Sequence, residues 1–211
     1  HIYANVGTYN VRVVAYSGGA ATTQLTRPIT IVDPLLLPIT FESATVNYAF
    51  TNFDGGNVTV INNPQSSGIN TSAKVARMVK NAGQPWGGSF LTLSLPMDFT
   101  NKIFRMKVWS PRAGAKVLLK VENSANSAQN YEKEVVMTLA NAWEDLVFDY
   151  NAINTGNSYN RIVLIFDNGT MGDGSSNFTF YFDDIRLVNT VPITLPLNFE
   201  HPVTYPWTNF D

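Results

Sequence analysis

Cysteine is absent from all 211 residues. Disulfides, thiolate metal sites and a cysteine nucleophile are excluded together. The compartment stays open, because surface proteins also do without cysteine. Histidine is nearly as scarce: His1 and His201 are the only two, one near each end. The interior therefore offers no imidazole for general-base work or zinc binding, which weighs against most enzyme classes. Charged residues make up 14% and the net charge is -2. That leaves no basic footprint for nucleic acid and no polybasic patch for a membrane surface. No apolar run approaches the roughly 18 residues of a membrane span, and no signal peptide opens the chain. Beginning at His1 rather than Met, the chain reads as a segment of something longer.

Hydrophobic residues, by contrast, reach 45% and aromatics 12%, enough to fill a core under a surface of Asn, Ser, Thr and Gly. Runs of β-branched and aromatic residues recur between turn formers. They predict strands near Tyr9–Tyr16, Thr26–Val32, Ile39–Glu42, Val58–Ile61, Ser72–Lys80 and Ser89–Leu95. Further strands are expected near Ile103–Ser110, Lys116–Val121, Glu132–Thr138, Glu144–Phe148, Arg161–Phe166 and Phe178–Leu187. No helical period persists. "FRMKVWS" sets Phe104, Met106 and Val108 on one face and Arg105, Lys107 and Trp109 on the other. Many short alternating strands read as an all-β, antiparallel β-sandwich.

Two proline-bearing seams, "VDPLLLP" at Val32–Pro38 and "NTVPITLP" at Asn189–Pro196, are candidate linkers. They divide the chain into 1–33, a middle block 34–189, and 190–211. The phrase "TNFD" closes both "LPITFESATVNYAFTNFDGG" and "LPLNFEHPVTYPWTNFD". A seam followed by the same opening phrase, one block later, indicates a tandem array. Residues 190–211 then hold a linker and the start of the next repeat.

The first block resembles the C-terminal half of a PKD domain, an immunoglobulin-like spacer. The likeness rests on His1, Tyr3, Gly7, Tyr9 and Val11, the Gly18-Gly19 turn and the strand Ile29–Val32. An ordinary β-hairpin predicts the same strands. The middle block resembles carbohydrate-binding modules of the galactose-binding-like, jelly-roll type, in particular those of multimodular laminarin-targeting proteins of marine Bacteroidetes. "ITFES", "NFDGG", "INTSAKVARMVKNAGQPWGG", "KVLLKVEN", "ANAWEDLVFDY" and "YFDDIRL" carry this resemblance. It implies non-catalytic binding of a polysaccharide, most of all a β-1,3-glucan such as laminarin, in an extracellular or outer-membrane-surface protein with other modules on the same chain.

Sugar rings have apolar C–H faces and polar rims, so their sites need exposed aromatic rings and a few planar hydrogen-bonding groups. Trp86, flanked by proline and two glycines, is expected on a loop, as a sugar platform or a packed lid. Trp109 is expected outward on its sheet; Trp143, opening a strand, reads as structural. Arg77, Lys120, Glu122 and Gln84 are candidate rim groups, with Asn81 a weaker one. For Lys120 and Glu122 the plain alternative is a solvated salt-bridged face. The resemblance also implies a structural Ca²⁺ between the first and last strands, held by Glu42 and Asp184 with Asp54 as a possible third ligand. Asp183 is expected to alternate away from Asp184.

Catalysis finds little support. The E-x-D-x-x-E strand of laminarinases is absent, and Glu132 and Glu134 lie on one strand with Lys133 between them, where glycoside hydrolysis needs two facing carboxylates. "DNGTMGDGSSN" at Asp167–Asn177 lacks EF-hand spacing and reads as a loop. The competing view is a purely structural or adhesive array of spacer modules that binds no sugar.

Overall fold

The computed structural model describes Tyr3 and residues 5–188. His1, the Asn189–Pro196 seam, His201 and the expected start of the next repeat lie outside the described residues.

Strands β1 (Gly7–Ser17) and β2 (Ala20–Ile31) pair only with each other, as an antiparallel hairpin. The ten that follow are β3 (Thr51–Phe53), β4 (Gly56–Asn62), β5 (Lys74–Lys80), β6 (Gly88–Thr92), β7 (Ile103–Ser110), β8 (Lys116–Asn123), β9 (Asn126–Val136), β10 (Ala142–Asp149), β11 (Arg161–Phe166) and β12 (Thr179–Val188). They form two five-stranded sheets, ordered β10-β7-β12-β5-β4 and β3-β6-β11-β8-β9. Every pairing between named strands is antiparallel.

Alternation explains the core. The first sheet turns Phe104, Met106, Val108, Phe180, Phe182, Ala76 and Met78 inward, and the second turns Val117, Leu119, Val121, Ile162, Leu164 and Phe166 to meet them; all are buried. Phe166 bridges the layers, its ring 5.3 Å from both Phe180 and Phe182. Each fully buried large side chain contributes about 1.5–3 kcal/mol. Tyr150 and Tyr159 are buried with them; the Tyr150 hydroxyl donates to Leu119 O at 2.6 Å and that of Tyr159 to Asn154 O at 3.1 Å.

Three local departures from the sequence expectation have physical causes. Ile39–Glu42 is no strand: Ile39 makes a single bridge to Ile185, and Phe41 takes φ 60, which breaks extended pairing and turns its ring into the core against Phe182. The three-residue β3 is too short to show alternation. β9 begins at Asn126 rather than Glu132, because its first five residues, Asn-Ser-Ala-Gln-Asn, carry no large apolar side chain. The first seam is packed as well: Leu35 is buried and its amide donates to Ser94 Oγ at 2.9 Å.

Candidate functional site

The first sheet keeps its second face outward. Register places Trp109 opposite both Trp143 and Tyr181, Tyr181 opposite Arg77, and Arg77 opposite Thr59. One row of outward side chains thus crosses all five strands. Its two ends differ. Trp143 is closed off at 6% exposure, its indole N–H donating to Gln65 O at 2.7 Å. Gln65 belongs to the connection between β4 and β5, so that loop crosses the face and walls one side of it. Thr59, at the other end, is open to solvent.

Between them Trp109 and Tyr181 are half-exposed, with ring centroids 5.3 Å apart and planes at 53°. Arg77 is half-buried; its Nη2 donates to Thr59 Oγ1 at 3.3 Å and its Nε has no partner. Two rings ending in a guanidinium and a hydroxyl can stack on a pyranose C–H face and bond to its rim. Sequence reasoning singled out Trp109 and Arg77 but missed Tyr181. The signal was present, since Tyr181 alternates with the core residues Phe180 and Phe182 in "TFYFDDI".

Further along the face lies an ion-pair network. Asp145 Oδ2 accepts from Arg105 Nη2 at 2.7 Å and Arg186 Nη2 at 2.6 Å. Asp184 Oδ2 accepts from Arg186 Nη1 at 2.7 Å and Lys107 Nζ at 3.3 Å.

Trp86 stands off the end of β5 rather than on the sheet. It is 53% exposed, and its indole N–H donates to Asp54 Oδ2 at 3.0 Å. The platform is held from below: Gln84 N donates to Asp54 O at 2.9 Å. A Cβ on Gly83 or Gly87 would stand 2.2 or 2.3 Å from that same carbonyl oxygen, so only glycine lets the two turns meet. The Gln84 and Asn81 side chains are exposed beside Trp86.

Beneath this loop is Lys80, which faces inward by the alternation that buries Ala76 and Met78. Its side chain is fully buried, and Nζ donates to Pro85 O at 2.6 Å, Phe166 O at 2.9 Å and Asp167 O at 2.8 Å. Burial pulls the ammonium down to about 8, against the opposing pull of Asp167. Asp167 is itself paired with Arg112. One cation therefore ties the Trp86 loop to the end of β11.

Lys120 and Glu122 do not join these groups. They lie on the outer face of the other sheet, where Glu122 accepts from Arg161 at 2.9 Å and Lys120 at 3.3 Å. The Arg161 guanidinium covers the Phe90 ring at 4.3 Å. This is a salt-bridged face, as in the alternative reading, but Glu122 is buried rather than solvated. It cannot line one site with Arg77 and Trp109.

The three carboxylates expected to hold calcium also stand apart. Glu42 Oε1 accepts from Lys74 N at 2.8 Å, Asp54 from Trp86, and Asp184 from Lys107 and Arg186. Among the described residues no three acidic or histidine side chains converge. The carboxylate turned into a buried polar pocket is Asp183, at 2% exposure. Alternation fails here because a bulge interrupts the register after Asp183 and Asp184 takes φ 53. Asp183 Oδ2 accepts from Asn70 Nδ2 at 3.1 Å and from the Ser72 hydroxyl, and Oδ1 from Asp184 N at 2.7 Å. Burial pushes its carboxyl up, opposed chiefly by Ser72. Tyr48 senses both acids: burial raises its hydroxyl first, and the charges of Glu42 and Asp183 add to that. A calcium ion takes carboxylate and amide oxygens; Asp183 has no cationic side chain bonded to it and has the Asn70 amide beside it, turned with its nitrogen inward, whereas Asp184 is already held by Lys107 and Arg186.

A cavity of about 520 Å³ lies at the far end of β12, lined by Leu36, Leu95, Met97 and Leu187. Its lining has no aromatic ring to stack on a sugar.

No protein-family model and no curated protein matches the sequence. Solved structures are similar in fold. The family 11 carbohydrate-binding module of the cellulosomal cellulase Lic26A-Cel5E of Clostridium thermocellum matches at 13% identity and a TM-score of 0.53, over 77% of this chain and 98% of that one. A family 11 module from the same organism, in complex with a β-1,3-1,4-mixed-linked tetrasaccharide, matches at 13% identity and a TM-score of 0.52, over 75% and 97%. An exo-β-agarase matches at 14% identity and a TM-score of 0.53, over 76% of this chain and 25% of that one. What this chain shares with them is the antiparallel β-sandwich on which carbohydrate-binding modules are built.

Proposed function

We propose that this module binds a polysaccharide without cleaving it, on the outer face of the sheet β10-β7-β12-β5-β4. The observation that carries the reading is the half-exposed pair Trp109–Tyr181, in register with Arg77 and Thr59. Trp86, off the end of β5, supplies a further exposed ring. The glycan is a β-1,3-glucan such as laminarin, and the protein a modular extracellular or outer-membrane-surface component of glycan utilisation. Support comes from the resemblance of the middle block and from a fold neighbour seen with a β-1,3-1,4-linked tetrasaccharide. Binding rather than hydrolysis fits the chemistry, since Glu134 is held by Lys116 and Asn168 and no histidine lies between His1 and His201. A structural calcium belongs to the same proposal. Asp183, the Asn70 side chain and Glu42 would hold it, and the ion would supply positive charge near two acids.

Affinity electrophoresis in gels containing laminarin, lichenan or a β-1,4-glucan tests the reading. The protein is expected to be retarded by at least one β-glucan, and Trp109→Ala to abolish the retardation while its thermal unfolding remains cooperative. Unchanged mobility across the panel would leave the spacer reading in place.

A further inference from the structure

We infer that Arg77 reads an anionic group on the bound glycan, a sugar carboxylate or a sulfate ester. The inference rests on the sheet-face reading above. Among the described residues the sandwich has five arginines: Arg77, Arg105, Arg112, Arg161 and Arg186. Four have a carboxylate partner: Asp145 for Arg105 and Arg186, Asp167 for Arg112, and Glu122 for Arg161. Arg77 has none. Its single polar contact is the 3.3 Å bond to Thr59, and its Nε is buried without a partner.

The surroundings supply no substitute. Its cross-strand neighbours are Tyr181 and Thr59, and its same-face neighbours along β5 are Val75 and Val79; all are neutral. A guanidinium is a planar fork of five donors that stays charged. Here it is half-withdrawn from water with no counter-charge, which costs free energy unless a ligand supplies one. Carboxylate and sulfate present paired oxygens that match the fork. Position fits as well, since Arg77 continues the row after Trp109 and Tyr181. A sugar stacked on those rings places a ring substituent, or its neighbour's, over the guanidinium. The chain's net charge of -2 gives no general attraction for polyanions, so a preference for them has to arise locally.

Matched ligands test this. Laminarin, its sulfate ester and its C6-oxidised carboxylate form share one backbone. They are titrated calorimetrically into the full chain, its Arg77→Gln and Arg77→Lys variants, and Trp109→Ala, at about 0.15 M salt to suppress non-specific attraction. The wild type is expected to bind one anionic form about tenfold more tightly than neutral laminarin, as one charge-assisted bond allows. The sulfate and carboxylate arms identify the anion. Arg77→Gln is expected to bring the anionic-to-neutral ratio to about one. Arg77→Lys should keep only part of the preference, because it retains charge but not the fork. Trp109→Ala should lose all three ligands. Equal wild-type affinity for neutral and anionic forms, or a preference that survives Arg77→Gln, overturns this inference and leaves the sheet-face reading standing. Failure of the wild type to bind any form removes both.

Discussion

Replacing Lys80 with methionine keeps the buried stem and deletes the ammonium. Three charge-assisted bonds vanish, those to Pro85 O, Phe166 O and Asp167 O, each worth about 1.5 kcal/mol or more. Two effects offset part of that loss. The charge no longer has to be desolvated, and two of the carbonyls keep an amide partner, Pro85 O from Gly169 N at 3.2 Å and Asp167 O from Thr170 N at 3.0 Å. The net cost is about 3 kcal/mol. With a urea slope of about 2 kcal/mol/M, the unfolding midpoint at pH 7 should fall by about 1.5 M. The pH dependence gives an independent check. Folding lowers the Lys80 pKa from 10.5 to about 8. Between those values the unfolded chain carries a proton that the folded one does not, so stability rises with pH across this window. It is lost again as pH falls through about 8, with a slope of at most about 1.4 kcal/mol per pH unit. Lys80→Met lacks that gain, so its gap to the wild type should widen from pH 8 to pH 10. An unchanged urea midpoint, or parallel pH curves for the two proteins, would refute the reasoning.

Other substitutions separate packing from recognition. Phe104→Ala and Leu119→Ala empty the fully buried core and should each cost about 3–5 kcal/mol in denaturant unfolding. Glu144 accepts from Thr138 N, Thr138 Oγ1 and Leu139 N, so Glu144→Gln should loosen the β9–β10 connection and cost about 1–2 kcal/mol by the same measurement. Trp86→Ala removes an exposed ring and one exposed hydrogen bond; stability should change by at most about 1 kcal/mol while glucan retardation weakens. Calcium should raise the thermal midpoint of the wild type and leave that of Asp183→Asn unchanged. Identical melting of the wild type in calcium and in EDTA would count against an ion at Asp183.

The fold was legible because alternation is strong where a strand has one wet and one dry face. β7 shows this: Phe104, Met106 and Val108 alternate with Arg105, Lys107 and Trp109, and β7 and β11 begin and end where the sequence places them. The site was half legible. Trp109 could be read as outward and Arg77 as a rim group, but no one-dimensional pattern says that Lys120 and Glu122 face away from them on the second sheet. That depends on which strands pair. The expected alternation of Asp183 and Asp184 is interrupted by a bulge after Asp183 and by the left-handed Asp184, a local backbone conformation that side-chain identity does not reveal. Lys80 showed the reverse failing. The pattern placed it with Ala76 and Met78, yet a lysine on the dry face was passed over although three carbonyls await it.

The strip of chain from Asn63 to Ala73 is fastened at two places, by the indole of Trp143 and by the carboxylate of Asp183. Between those anchors it passes Gly68, whose left-handed φ of 59 and empty surroundings leave room for extra residues. Insertions there would raise or lower the wall beside the Trp143–Trp109 row without disturbing either sheet. The height of that wall is therefore adjustable separately from the stability of the scaffold, which would let the proposed binding face change while the sandwich stays the same.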